Sequence, residues 1–172
     1  MTYVWSSALT ITSLKALCIL KEINYLAPVM DCPTQWNSTY YMLKNFEHLQ
    51  PTLQMLQADN PSVRDRYPSQ SGLQDIHNII VLLEPIECAM LFLSASKYPM
   101  HGDIWLCFLA ILENLENEFF TQSAAANSIY NKLKDYWPIL DHTSQISAIL
   151  DPHSKLLAFK MMKKKNKLKQ LF

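Results

Sequence analysis

Apolar residues recur at helical spacing along most of the chain. Val4, Ala8, Ile11, Leu14, Cys18 and Ile23 lie near a 3.6-residue period and predict a first helix over residues 3–23, weakened by its Ser and Thr content and stopped by Pro28. The stretch PVMDCPTQW carries two prolines and an aspartate, which predicts an extended connection. Thr34 is the expected N-cap of the next helix, accepting the Asn37 amide. That helix is expected from Trp36 to about Gln50, with Trp36, Tyr40, Leu43 and either Phe46 or Glu47 on one stripe. Pro51 interrupts or restarts it before Leu53, Met55 and Leu56.

Residues 58–72 are polar, hold two prolines and show no period, so a loop is expected there. Leu73, Ile76, Ile79, Ile80, Leu83, Cys88, Leu91 and Phe92 predict a buried helix over residues 73–96, kinked or broken at Pro85. After a turn at residues 98–102, Asp103 is expected to cap a helix reaching about Gln122, its first half apolar all round and central to the core. A further helix is expected over residues 124–137, ending at Pro138, then a short element over residues 139–150, and a last helix over residues 155–172 beyond the Asp151-Pro152 break. The predicted fold class is all-α, an irregular array of about six or seven helices without a convincing strand.

Composition narrows the functional classes. Two glycines in 172 residues, Gly72 and Gly102, leave no G-x-G-x-x-G, no G-x-x-x-x-G-K and no G-x-S-x-G. The four cysteines form no C-x-x-C, so reduced thiols are expected. The start of the chain lacks the basic residues and cleavage site of a signal peptide. The longest unbroken apolar run, IWLCFLAIL, has nine residues, so no membrane span is expected.

Charge is neutral in total but uneven. Residues 1–159 hold fifteen acids and nine bases, a net −6, whereas residues 160–172 hold six lysines and no acid. Any electrostatic contact with nucleic acid must come from that tail or from a local patch.

Three segments, in order, resemble one family. Residues 31–43, DCPTQWNSTYYML, are similar to the D-x-P-T-R-W-N-S-T-Y-x-M-L signature of hAT-superfamily transposases. Leu83-Glu84-Pro85 with LSASKYP at residues 93–99 resembles that family's second block. KLKDYW at residues 132–137 and SAILDPHSKL at residues 147–156 resemble its K-x-Y-W and A-A-I-L-D-P-R-Y-K-L blocks. Gln35 and His153 stand where the family usually has arginine. The match covers residues 20–159, between a non-matching start at 1–19 and the lysine-rich tail at 160–172.

The resemblance implies part of the helical insertion of an RNase H-like transposase. The intact family uses two aspartates and a glutamate to hold two divalent ions, Mg or Mn, for DNA cleavage and transfer. Those carboxylate segments and the N-terminal BED zinc finger have no counterpart in this chain. No catalytic residue, no bound metal and no cofactor is therefore expected, and the chain is expected to be inactive alone. The expected partner is DNA, in the nucleus, with a parent-type transposase subunit or another protein as a possible second partner; no membrane and no small-molecule substrate is expected. A helical protein-interaction module without nucleic-acid binding is the alternative.

Trp36 is the sharpest candidate. The resemblance implies that it stacks on a base extruded from flanking DNA, which suits a large π-face, while packing beside Tyr40 and Leu43 is the structural alternative. Lys163, Lys164, Lys165, Lys167 and Lys169, with Lys160, are candidates for phosphate contact or nuclear import, or a solvated helix face. Asp31 and Asp151 sit at Pro-marked breaks and are expected to cap a helix or turn. Glu113, Glu116 and Glu118 are expected on a solvated face. His48, His77, His101, His142 and His153 are scattered singly without ligand spacing.

Overall fold

The computed structural model describes residues 8–27, 29, 31–32, 36–95, 100–116, 123–153, 155–157 and 160, with backbone only at Trp36, Ala95, Trp137 and residues 139–142. Helix accounts for 83% of its interpretable part, which contains no strand, so the fold is all-α. Six helices are described: α1 (Ala8–Leu20), α2 (Trp36–Asp59), α3 (Pro61–Arg64), α4 (Gln70–Ala95), α5 (His101–Leu115) and α6 (Ala124–Leu150). The chain divides into two compact units, Met1–Leu83 and Glu84–Phe172.

In the first unit, α1 buries Thr10, Leu14 and Cys18. It ends well before Pro28, because the chain turns left-handed at Glu22, φ 55°, and the Ile23 amide returns to the Cys18 carbonyl at 3.0 Å. The expected end at Pro28 is thus corrected by a local turn at a residue type that rarely adopts positive φ. Leu14 and Cys18 join Phe46, Leu49, Leu53 and Leu56 of α2 and Val63 of α3 in one core cluster. Tyr40, Leu43 and Ile80 form a second cluster, against which Ile76 and Leu83 pack. Of the two candidates for the α2 stripe, Phe46 is the core residue and Glu47 is not.

Pro51 does not interrupt α2, which continues for 24 residues. A proline inside a helix costs about 3 kcal/mol, but Leu49, Thr52 and Leu53 around it are all buried. The Thr52 hydroxyl donates to the Leu49 carbonyl at 2.7 Å, close to the lost backbone bond. The expected loop at residues 58–72 contains α3, capped by Asn60, whose side chain accepts the Ser62 amide at 3.1 Å. Arg64 ties α3 back to the end of α2 through the carbonyls of Gln57, 3.2 Å, and Ala58, 2.7 Å. Ser69 caps α4 by accepting the Gly72 amide at 3.2 Å.

In the second unit, α5 starts at His101. Asp103 acts from inside the first turn, its carboxylate accepting the Met100 amide at 3.0 Å, instead of preceding the helix as expected. Trp105 is fully buried and clusters with Leu109 and with Ala148 of α6, joined by Leu106 and Ile149. The expectation that this half of the helix is central to its core is met; the residues beyond Glu116 that were expected to extend it lie outside the described ones. Gly102 sits where a Cβ would stand 2.7 Å from the Ala148 Cα, so only hydrogen fits at that crossing. Ser123 caps α6. That helix does not stop at Pro138 but runs through it to Leu150, merging the two segments expected there. Asp151 ends it in a turn, accepting the His153 amide at 3.0 Å, as its place beside Pro152 predicts.

Helix α4 departs furthest from the apolar pattern. Ile76 and Ile80 pack in its first half, but Ile79, Cys88, Leu91 and Phe92, all expected in the core, are exposed, Leu91 and Phe92 each at 55%. Within residues Gln70–Ser94 an 18-residue window reaches a mean hydropathy of 1.7, so the helix is long and apolar enough to cross a membrane by length and composition. Counting unbroken apolar runs missed this, because isolated polar residues interrupt a run without much lowering a mean. Two features fit packing against protein: Ile80 is buried against Tyr40 and Leu43, and Glu84 and Glu87 would each cost about 3 kcal/mol at a bilayer centre.

Candidate functional site

The segment entering α2 is held by side chains of the helix's own first turns. Asp31 Oδ1 accepts from the Thr39 hydroxyl at 2.7 Å and lies 3.1 Å from the Ser38 hydroxyl. Ser38 Oγ accepts the Cys32 amide at 2.7 Å, and its own proton is shared between Asp31 and the Cys32 carbonyl at 3.2 Å. Ser38 is buried and its bonds are partly buried, whereas the Thr39–Asp31 bond is exposed. Further along, Asn45 Nδ2 donates to the Ala27 carbonyl at 3.0 Å, and His48 Nε2 lies 2.9 Å from the Asn24 carbonyl, which requires the proton on that nitrogen. The connection from α1 is therefore tied along α2 at several points.

Trp36 is the first residue of α2, so this clamp fixes the backbone from which its side chain departs. The Trp36 side chain lies outside the described residues, as do Lys163, Lys164, Lys165, Lys167 and Lys169. Lys160 is exposed. Asp31, Ser38 and Thr39, matched by the first motif, act as a structural clasp.

Glu113 and Glu116 are exposed as expected, and Glu116 accepts the Tyr130 hydroxyl at 3.2 Å, linking α5 to α6; Glu118 lies outside the described residues. Three or more His, Cys, Asp or Glu side chains able to hold a metal ion do not converge among the described residues. His101 Nδ1 is 3.4 Å from the buried Ser144 hydroxyl. The side chain of His142 lies outside the described residues.

One arrangement escaped the sequence analysis. His77 of α4 and Glu47 of α2 meet at 2.9 Å through Nδ1 and Oε1, at a groove of about 200 Å³ lined by both helices. Gln50, Gln70 and Gln74 supply amides to its wall, and Phe46, Leu73 and Ile76 its apolar surface. Lys44 stands 3.9 Å from the other Glu47 oxygen. In a neutral His77 the proton lies on Nδ1, and Nε2 is left as an acceptor. The lining holds no hydroxyl or thiol nucleophile, so its chemistry is hydrogen bonding and proton acceptance. The residues are thirty apart in sequence, and no local spacing reveals such a pair.

Among the described residues, two groups elsewhere have shifted titration. Burial pushes the Cys107 thiol up, and the nearby Asp103 charge adds to the effect. Burial also raises the Tyr67 hydroxyl, with Gln54 and Gln50 opposing it. Cys88 is exposed on α4, and Cys18 is buried, 3.8 Å from the Thr52 hydroxyl. No family model, curated protein or solved structure matches the chain.

Proposed function

We propose that the chain is a transposase-derived, DNA-associated helical fragment that lacks the catalytic carboxylates of its parent and is inactive alone. The observation that carries this reading is the ordered set of three hAT-type motifs, the first of them the most specific. Two features add support. The clasp of Asp31, Ser38 and Thr39 holds the entry to α2, the helix that Trp36 begins. The body carries −6, so association with a phosphate backbone falls to the lysines after residue 159 and to stacking by Trp36. A nuclear location and a parent-type transposase subunit as partner belong to the same reading.

The test is a mobility-shift titration across a salt series with the full chain, a variant lacking residues 160–172, and Trp36→Ala. A steep fall in affinity with salt, abolished by the deletion, is expected. Trp36→Ala is expected to weaken binding at an unchanged melting temperature. Undetectable DNA binding at low salt, together with capture of a stable protein partner, overturns the proposal in favour of a helical interaction module. The observation favouring that second reading is outward-facing apolar surface: Leu9 is 82% exposed and Leu156 78%.

A further inference from the structure

Two long helices carry a proline at the same depth. Pro51 is the sixteenth residue of α2, and Pro85 the sixteenth of α4. Each removes one backbone donor and pushes its ring against the carbonyl four residues earlier, Glu47 or Val81. What differs is the support around them. Both sides of Pro51 are held in one core: Leu49 is fully buried, Thr52 is buried and bonded to the Leu49 carbonyl, and Leu53 and Leu56 belong to the same cluster as Leu49. Before Pro85, Ile76, Ile80 and Leu83 are anchored against Tyr40 and Leu43. Around and beyond it, Glu84 and Cys88 are exposed and Leu91 and Phe92 open to solvent. The division of the chain into two compact units falls within two residues of this proline.

We propose that Pro85 is a flexible joint in α4, at which the helix opens locally while its flanking turns stay formed. Leu82 and Glu87 remain buried, so the joint is a soft point within an ordered helix. Pro51, chemically identical and clamped on both sides, is the internal control. This inference rests on the helix itself and is independent of any role in DNA association.

The experiment is hydrogen exchange on the full chain, read by mass spectrometry for residues 83–88 of α4 and 49–54 of α2, with Pro85→Ala and Pro51→Ala alongside. In the unsubstituted chain, amides at 83–88 are expected to exchange at least tenfold faster than those at 49–54 and faster than both flanks of α4. Pro85→Ala is expected to slow exchange at 83–88 about tenfold and leave residues 73–80 unchanged, since it restores one donor. Pro51→Ala is expected to change α2 by less. Equal protection around the two prolines, no slowing with Pro85→Ala, or an equal change along all of α4 overturns the proposal.

Discussion

In the unit Met1–Leu83, α1, α2 and α3 bring seven medium-sized and aromatic side chains into one cluster, and α4 adds a second cluster through Ile80. In the unit Glu84–Phe172 the α5 and α6 cluster rests on one large side chain, Trp105, over Leu109 and Ala148, at a crossing where Gly102 meets the Ala148 backbone. Distributed packing spreads the loss of one side chain over many neighbours. A cluster built on one indole at a close helix crossing concentrates it, because dense interiors relax only partly around a missing or added atom.

The largest expected effect tests that contrast directly. Trp105→Ala should destabilise its unit by about 4 kcal/mol, against about 3 kcal/mol for Leu49→Ala in the other unit, both read as shifts in denaturant midpoint. A Leu49→Ala loss exceeding that of Trp105→Ala breaks the comparison. Gly102→Ala sharpens it from the opposite side: one added methyl against a backbone that cannot step aside should cost about 1–3 kcal/mol in a thermal melt, while an unchanged melting temperature means the crossing is looser than described.

Ser38→Ala probes the clasp in the first unit. It leaves the Cys32 amide and the Asp31 carboxylate without their shared partner and should cost about 1–2 kcal/mol. Rapid exchange of the Cys32 amide in this variant checks the mechanism, and unchanged exchange speaks against it. The smallest expected effect is a pH dependence in the second unit. Cys107 has a pKa above the ordinary 9.0, so the folded state holds the thiol proton longer than the unfolded state does. Its contribution is complete below pH 9 and is lost as pH rises through the folded value. Stability measured at rising pH should therefore fall more in the unsubstituted chain than in Cys107→Ala, and parallel curves would contradict that assignment.

Helices were legible wherever a long apolar period coincided with a polar face or a cap, as in Trp36–Asp59, but proline was over-read as a stop. Helices α2, α4 and α6 each pass through one. The rule describes an isolated helix, and at Pro51 burial of Leu49, Thr52 and Leu53 on both sides outweighs one lost bond. The clasp at Asp31 was partly legible, since an aspartate at a Pro-marked break invites a capping role. Its bonds go to hydroxyls of α2, a detail that only the path of the chain sets. The His77–Glu47 pair was not legible at all, because its partners sit on different helices whose faces are brought together by burial of Phe46 and Ile76.

By itself the amino-acid sequence determined the all-α class and the acidic body with its basic tail. Each follows from local propensity, apolar spacing or residue identity, none of which needs a neighbour distant in sequence. Only the tertiary structure decided which apolar stripes are covered, which prolines a helix can absorb, and which polar side chains meet. Those outcomes depend on contacts between segments tens of residues apart, where packing energy of several kcal/mol overrides a local preference of one or two.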